Sequence, residues 1–242
     1  MGPEPNSRHK FISVVIPGYN EEKYLPNCLA SLKEQDYPKE RFEVIVVDNN
    51  STDKTGKIAE SYGARLVGLQ THQGVSPARQ AGSQAAKGEI IAGTDADTIV
   101  SKNWLSTINK YFQDPQVVAI TGGAQFYSTG LINNILAGVF PLLVRLQFFF
   151  GKPGLNGFNF AIKKTIFDKI GGFDISLKSA EDVDLGIRVA KEGEVLFAPD
   201  LKAATSARRI ERSRLGFFWH HIKNIMRFMI FKKDPEGFEN IR

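Results

Sequence analysis

Residues 11–100 alternate short apolar runs with helix-like segments, and this alternation constrains the fold more than any other feature. Apolar runs bounded by turn residues are typical of buried strands, and leucines at three- and four-residue spacing are typical of helices. Alternating strands and helices form βαβ units with parallel strands. We therefore predict an α/β fold with a mostly parallel sheet flanked by helices. The predicted strands are 11–17, 42–47, 64–69 and 89–92, and the predicted helices are 21–34, one around Ile58 and Ala59 capped by Ser51 or Thr52, and 76–87.

Acidic side chains follow two of these strands directly. Asp48 follows the second strand, and Asp95 and Asp97 follow the fourth. Ligands of such sheets bind at the carboxyl ends of the strands. Two carboxylates one residue apart suit Mg²⁺ or Mn²⁺, which prefer oxygen ligands and keep positions open for phosphate. A solvated loop with two capping aspartates explains the same triplet, so the triplet alone does not decide between them.

Composition narrows the classes of function. The 242 residues, 42% of them hydrophobic, suffice for one large domain with a substantial core. The formal charge of +5 suits nucleotide diphosphates or acidic lipid headgroups, and also weak nucleic-acid binding. Cys28 is the only cysteine, which excludes an intrachain disulfide and favours a reducing compartment. The first ten residues lack the apolar core of a signal peptide.

Eight motifs follow one another in the order in which a known family carries them. They are VVIPGYNEE at 14–22, VVDNNSTD at 46–53, GVSPARQAG at 74–82, KGE at 87–89, DAD at 95–97, NGFN at 156–159, GGFD at 171–174 and EDVDL at 181–185. Together they resemble the GT-A glycosyltransferases of family 2. Each motif is common, whereas their order and spacing together are highly specific.

The resemblance implies a GT-A fold, which is a Rossmann-like sheet flanked by helices, in a catalytic domain over residues 11–205. Its first half, 11–100, would bind the nucleotide sugar, and its second half, 101–205, the acceptor. Residues 1–10 are expected to be disordered or added for expression. Residues 206–242 are expected to form a basic amphipathic helical segment at the C-terminus.

The resemblance also implies roles for individual residues. Asp182 matches the catalytic base, and Asp48 matches the acidic residue that reads the nucleotide base. Asp95 would contact the ribose or the metal, and Asp97 would be the main metal ligand. The other implied residues are Pro17, Tyr19, Glu21 and Arg79 on the nucleotide-sugar side, with Arg79 near the pyrophosphate, and Asn156, Gly157 and Glu181 on the acceptor side.

Several of these side chains also have an ordinary structural explanation. Asp48 would cap the next helix, although Asp53 is better placed to do so. Arg79 would be a surface charge on an alanine-rich helix. Glu181 and Asp184 would be acids that the dipole favours at a helix N-terminus.

The implied residues predict an inverting mechanism with a nucleotide diphosphate sugar as the donor, and a UDP-sugar is favoured over GDP- or dTDP-sugars. The metal and Arg79 would hold the diphosphate and make it a better leaving group. Asp182 would take the proton of an acceptor hydroxyl while its oxygen attacks the anomeric carbon from the opposite face. A phosphate acceptor would need little help from a base, because it is already ionised at neutral pH.

One departure from the family concerns the metal site, which many members complete with a histidine in the C-terminal third. His220 and His221 are the candidates here, but they lie in an aromatic, basic stretch outside the motifs. A surface or interfacial role is favoured for both. His9 and His72 are weaker candidates.

Two apolar segments predict contact with a membrane surface. Residues 131–150 contain Pro141 and Arg145, so they are too interrupted for a spanning helix. They are expected to lie on the bilayer or to line an acceptor groove, and a buried core helix explains them equally well. Residues 215–233 combine apolar residues at helical spacing with lysine and arginine, as interfacial helices do. Packing on the core or on another subunit is the alternative. Arginines precede this second segment at Arg208, Arg209, Arg212 and Arg214.

These segments favour a lipid-linked acceptor, and a glycan is the alternative acceptor. They also predict that the protein lies peripherally at the cytoplasmic, inner face of the cell membrane. A polyprenyl-phosphate glycosyltransferase of the dolichol-phosphate type, using GDP-mannose or UDP-glucose, is the first alternative. It would carry a third ligand shortly after Asp97, where 98–100 offer little. A nucleotidyltransferase would have a basic loop where 18–22 is acidic. A silent binding module or nucleic-acid binder is disfavoured by the retention of Asp97 and Asp182, and no nucleic-acid partner is expected.

Overall fold

The computed structural model of the protein describes residues 9–71, 74–127, 147–149, 151–177 and 179–208. Its eight strands are β1 Ile12–Gly18, β2 Phe42–Asp48, β3 Arg65–Gly68, β4 Ile90–Gly93, β5 Thr98–Val100, β6 Val117–Phe126, β7 Phe160–Lys163 and β8 Glu194–Thr205. The α-helices within these ranges are α1 Leu25–Lys33, α2 Thr55–Ser61, α3 Val75–Ala85, α4 Trp104–Tyr111, α5 Lys164–Lys169 and α6 Glu181–Val189, and Lys39–Arg41 form a 3₁₀ turn.

All eight strands belong to one sheet, in the order β3-β2-β1-β4-β7-β6-β8-β5. The first four run parallel, which confirms the βαβ arrangement predicted for residues 11–100. β7 runs antiparallel to both β4 and β6, and β5 runs antiparallel to β8. The carboxyl ends of β1, β2 and β4 therefore lie side by side at one edge, where the predicted acidic residues follow them.

The central strands β1 and β4 are buried on both faces, which explains why their sequences are almost entirely apolar. Successive side chains of a strand point to opposite faces. In β1, Val14 and Ile16 pack in a core cluster with residues of α1, α2 and α4, while Val15 packs in a second cluster with residues of α3, α5 and α6. The helices thus cover both faces, as predicted.

The predicted strands agree with the observed ones to within a few residues, whereas two helix starts were wrong. The first helix begins at Leu25 rather than at residue 21, and Pro26 lies in its first turn, where proline is favoured. The helix around Ile58 begins only at Thr55, so Ser51 and Thr52 do not cap it.

Parts of the predicted lipid-facing segments lie outside the described residues. Of residues 131–150, only 147–149 are described; they are helical, with Gln147 buried and Phe149 82% exposed. Residues 209–242 also lie outside. Within the described ranges, none of the helices has the length and apolar content needed to cross a membrane.

Candidate active site

The loops that follow β1 and β2 are locked together by hydrogen bonds. The backbone N–H of Asn20, a residue with a positive φ of 56°, donates to Oγ of Ser51 at 3.0 Å. Its side-chain oxygen accepts a hydrogen bond from the N–H of Thr52 at 2.8 Å. The N–H of Glu21 donates to Oγ1 of Thr55 at 2.8 Å. The interlock holds Glu21 beside the end of β2.

Asp48 closes its own turn rather than capping α2. Its Oδ1 accepts a hydrogen bond from the N–H of Ser51 at 2.9 Å, and a Cβ on Gly56 would lie 3.0 Å from its Oδ2. The N–H of Thr55 in the first turn of α2 instead donates to Asp53 at 2.8 Å, as expected for Asp53. The capping explanation of Asp48 is therefore wrong.

Pro17 and Tyr19 lie near the end of β1, one on each side of Gly18. Both side chains are half-buried. Because Gly18 pairs with Asp48 across the parallel ladder, these residues share the strand-end edge with the predicted base-reading carboxylate.

Arg79 lies in a buried ion cluster, and its explanation as a surface charge is wrong. It is 7% exposed. One Nη lies 2.7 Å from Oδ1 of Asp95, and the other contacts Oε1 of Glu181. Glu181 is 4% exposed and begins α6, which confirms its helix N-terminal position. Arg79 thus joins the end of β4 to the start of α6.

Gly157 makes room for this guanidinium. A Cβ at Gly157 would lie 2.4 Å from Nη1 of Arg79, closer than real Cβ contacts come. The backbone N–H of Gly157 donates to Oδ2 of Asp182 at 2.8 Å, and the N–H of Val183 donates to Oδ1 at 2.9 Å. One glycine therefore admits the arginine and orients the predicted base.

Burial raises the pKa of both acidic residues at the start of α6. It raises the pKa of Glu181 to about 7, although the charge of Arg79 opposes the shift. It also raises the pKa of Asp182, against the opposing effects of Arg79 and of the two backbone hydrogen bonds. A carboxylate with a raised pKa is a better proton acceptor near neutral pH.

Asn156 ties the loop before β7 to β6. Its N–H donates to Oγ1 of Thr121 at 2.9 Å, and its Nδ2 donates to the carbonyl of Gly122 at 2.5 Å. Nearby, Oδ1 of Asn159 accepts a hydrogen bond from Nε1 of Trp104 at 2.9 Å. The loop that carries Gly157 is therefore held by buried amide groups, and Asn156, predicted on the acceptor side, is only 7% exposed.

A second arginine, Arg208, joins Asp97 to Glu21. Its Nε lies 2.9 Å from Oδ2 of Asp97, and its Nη1 donates to Oε2 of Glu21 at 2.9 Å. Its guanidinium carbon lies 4.7 Å from the centre of the Tyr24 ring. Oγ1 of Thr205 lies 3.3 Å from Oδ1 of Asp97. Sequence reasoning missed Arg208 as a site residue and placed it in the basic stretch before the predicted interfacial helix; its side chain is only 25% exposed.

Two arginines thus compensate a larger group of carboxylates in this candidate site. Asp95 keeps 28% of its side chain exposed, while Asp97 is 9% exposed. The carboxylates outnumber the arginines, so the site carries excess negative charge. The oxygens of Asp95 and Asp97 are therefore suitable ligands for Mg²⁺ or Mn²⁺. The described residues contain no group of three His, Cys, Asp or Glu side chains that could hold a metal alone, so a cation at the aspartates would take its other ligands from phosphate or water. The carboxylates that face these arginines are Glu21, Asp95, Asp97 and Glu181, with Asp182 beside them.

Among the histidines, only His9 is described, and its ring packs on Tyr37, with 5.2 Å between the ring centres. Tyr37 is bound to the backbone of Lys10 before β1, so this pair lies at the amino end of the strand. His72, His220 and His221 lie outside the described residues.

The fold and the acidic strand ends define a class, an α/β protein with a candidate ligand site at the carboxyl ends of its strands. Comparison with known proteins identifies its family. The model of Glycosyl transferase family 2 matches residues 13–171, more than half of the chain. The chain therefore belongs to glycosyl transferase family 2. This confirms both the resemblance and the predicted class of enzyme, a glycosyltransferase.

Curated relatives from archaea and bacteria match different shares of the chain. Glycosyltransferase AglE of Haloferax volcanii is 29% identical over 205 residues, which are 82% of this chain and 67% of AglE. The poly(ribitol-phosphate) beta-N-acetylglucosaminyltransferase TarS of Staphylococcus aureus is 36% identical over 119 residues, which are 46% of this chain and 21% of TarS. A dolichyl N-acetyl-alpha-D-glucosaminyl phosphate 3-beta-D-2,3-diacetamido-2,3-dideoxy-beta-D-glucuronosyltransferase of Methanococcus voltae is 27% identical over 77% of this chain and 64% of its own length. The chain spans about two thirds or less of these relatives.

Solved structures share the fold. The mannosyltransferase PcManGT from Pyrobaculum calidifontis, in complex with GDP-Man and Mn²⁺, superposes with a TM-score of 0.71 at 23% identity, over 95% of this chain and 66% of that chain. S. aureus TarS 1–349, in complex with UDP-GlcNAc, gives 0.66 at 23% identity, over 81% of this chain and 58% of that chain. The predicted GT-A fold is confirmed.

Proposed function

We propose that the chain is an inverting glycosyltransferase that moves a hexose from a nucleotide diphosphate sugar to an acceptor hydroxyl. The observation that carries the proposal is the ion cluster around Arg79. It connects Asp95, on the donor side, to Glu181, the neighbour of the proposed base Asp182. A displacement with inversion needs a leaving group and a base on opposite sides of one reacting carbon. The Asp95–Arg79–Glu181 cluster would hold the donor side and the base side in a fixed relation to each other.

Asp182 is the proposed general base. Two backbone N–H groups hold its two oxygens, so the carboxylate has a defined orientation before the acceptor arrives. Burial raises its pKa, which strengthens it as a proton acceptor. It takes the proton of the acceptor hydroxyl as the oxygen bonds to the anomeric carbon, and the bond to the diphosphate oxygen breaks.

Asp95 and Asp97 are proposed to hold Mg²⁺ or Mn²⁺ together with the diphosphate. When bound, the cation would neutralise charge that develops on the diphosphate leaving group. PcManGT, in complex with Mn²⁺ and GDP-Man, supports the choice of cation. Arg79 is proposed to act near the pyrophosphate through Asp95, which it holds in place.

Asp48, Pro17 and Tyr19 are proposed to form the nucleotide end of the site. Asp48 has a second carboxylate oxygen beyond the one that closes its turn, and this oxygen can accept a hydrogen bond from a ring N–H of the base. The known complexes of similar fold contain UDP-GlcNAc in one case and GDP-Man in the other. A UDP-sugar is the favoured donor.

The proposed acceptor is a lipid-linked sugar or a glycan, reached from a peripheral position at the inner face of the membrane. The names of two relatives support it: TarS acts on poly(ribitol-phosphate), and the Methanococcus voltae enzyme acts on a dolichyl-phosphate sugar. Asn156, Gly157 and Glu181 would form the acceptor side, with Gly157 and Glu181 positioning Asp182 and Arg79.

The first experiment is a melting-temperature panel with UDP-, GDP- and dTDP-sugars, each with Mn²⁺, Mg²⁺ or EDTA. A ligand that binds only the folded state raises the melting temperature. We expect a metal-dependent rise with UDP-sugars that is lost in Asp97→Ala. Asp168→Ala is the matched control, because Asp168 makes an exposed ion pair with Lys164 in α5. No shift with any donor would contradict the proposal.

A further inference from the structure

Arg208 lies between two carboxylates of the proposed donor site. It is the last described residue and follows β8. β8 pairs with β5, in the register that sets Thr205 opposite Thr98, and this pairing brings Arg208 to Asp97. The chain therefore carries a cation of its own beside the proposed metal ligand.

The contacts of Arg208 with Glu21 are strong. Its two Nη groups donate to the two carboxylate oxygens of Glu21, and its plane lies over the ring of Tyr24. Such a bidentate pair is among the stronger side-chain hydrogen-bond arrangements. The side chain of Glu21 is 12% exposed, so water competes little for it.

The contact of Arg208 with Asp97 is weaker. Nε is 2.9 Å from Oδ2 of Asp97, yet it is buried and makes no aligned hydrogen bond within the described part of the chain. A buried N–H without an aligned acceptor is costly. Arg208 can therefore leave Asp97 while it keeps both of its hydrogen bonds to Glu21.

We propose that Arg208 is a resident counter-ion of the donor site, which competes with the divalent cation for Asp97. The inference rests on the proposed function, since it assigns Asp97 as a metal ligand. A guanidinium and a divalent cation beside one carboxylate repel each other, so Nε of Arg208 would move away from Asp97 when Asp97 held a cation. The displaced group, still held by Glu21, then has an unsatisfied N–H for an oxygen of the diphosphate. Arg208 thereby lowers the affinity of the site for the cation alone. The affinity for the cation together with a nucleotide diphosphate is lowered less, so the site prefers the pair.

The test is a titration of the full chain with Mn²⁺ in the absence of nucleotide, with free Mn²⁺ measured by electron paramagnetic resonance. Arg208→Ala and Arg208→Gln remove the charge, and Arg208→Lys keeps it. We expect the first two to bind Mn²⁺ more tightly by about tenfold, the scale of one charge-assisted contact, while Arg208→Lys stays near the wild type. Arg65→Ala, which removes a partly exposed ion pair with Glu43 far along the sequence from Asp97, is the control and should leave the Mn²⁺ affinity unchanged.

The same titration with UDP present gives the second half of the result. UDP should increase the Mn²⁺ affinity of the wild type more than that of Arg208→Ala. Only in the wild type can the guanidinium leave Asp97 and donate a hydrogen bond to the diphosphate. Asp97→Asn in the Arg208→Ala background should abolish the tighter binding. Melting temperatures identify any variant that fails to fold, and Arg208→Gln, which keeps the bulk of the side chain, then carries the comparison.

The outcomes separate this inference from the proposed function. Equal Mn²⁺ affinity of wild type and charge-removed variants, with binding still dependent on Asp97, overturns the competition and leaves the metal site standing. Absence of Mn²⁺ binding in every variant, with and without UDP, overturns both.

Discussion

Oδ1 of Asp95, at the carboxyl end of β4, lies 2.7 Å from the guanidinium of Arg79 on α3. The other end of that guanidinium contacts Glu181 on α6. One buried cation therefore joins the neighbouring elements α3 and β4 to α6, which follows Arg79 by 102 positions in the sequence. Since the charge is 7% exposed, its partners replace water almost completely, and the loss of any one of them leaves a buried charge uncompensated.

Replacement of Arg79 should be strongly destabilising. Arg79→Ala leaves Glu181 and Asp95 without their shared partner, and we expect a loss of about 3 kcal/mol or more in the free energy of unfolding, as for other broken buried pairs. Arg79→Lys should recover part of this loss, because one ammonium cannot bridge two carboxylates as a guanidinium does. Urea denaturation measures both variants. Arg65→Ala is the control, since Arg65 is 42% exposed and its pair with the partly buried Glu43 is expected to contribute less than Arg79 does, about 1 kcal/mol. Equal losses of stability at Arg79 and Arg65 would contradict the proposed importance of the buried cluster.

Gly157→Ala should impair the site without removing any charged group. The added Cβ would meet Nη1 of Arg79 at 2.4 Å, so either the guanidinium or the loop must shift, and Asp182 shifts with the loop because it accepts the Gly157 N–H. We expect turnover to fall by roughly 100-fold, as small misplacements of reacting groups produce. Gly68→Ala, where a Cβ meets no atom within 4 Å, is the matched control. Unchanged turnover in Gly157→Ala would contradict the proposed link.

The parallel half of the fold could be predicted because its central strands are largely buried. Runs such as β1 and β2 are mostly apolar, with Val14–Ile16 and Val44–Val47 uninterrupted, and this pattern is local. The start of α1 could not be read in the same way. Residues before Leu25 form hydrogen bonds to the loop after β2 and to the first residue of α2, as Glu22 does with Asp53 and Glu21 with Thr55. Such contacts across the sheet edge leave no periodic signal.

The residues of the candidate site also differ in whether local sequence could predict them. Asp48, Asp95, Asp97 and Asp182 could be proposed from motifs and strand ends, because these are local features. Arg208 could not, because its contact with Glu21 joins residues 187 positions apart and depends on the β5–β8 pairing. One sequence signal points to the right region, because many family members complete the metal site with a histidine in the C-terminal third, where Arg208 lies; that signal specifies a histidine and not an arginine.

Glu181→Gln should change how stability depends on pH. The folded pKa of Glu181 is raised to about 7, above its ordinary 4.5, so its contribution to stability is fully present below the lower value and is lost as pH rises through the upper one. We expect the unfolding free energy of the wild type to fall across this window relative to Glu181→Gln, by up to about 1.4 kcal/mol per pH unit. Urea denaturation between pH 4.5 and 7.5 measures the difference. A difference that rises with pH would contradict the sign.

Asp182→Asn tests the proposed base and the acceptor together. The amide keeps the shape of the side chain but cannot take a proton, so turnover onto a hydroxyl acceptor should fall by about 10²- to 10⁴-fold. The donor-induced rise in melting temperature should persist, because Asp182 is not placed on the donor. Asp184→Asn is the matched control on the same helix, where Asp184 pairs with Arg188. If the acceptor were instead a polyprenyl phosphate, Asp182→Asn would retain most of its turnover, since an ionised phosphate needs no base, and the hydroxyl-acceptor proposal would be wrong.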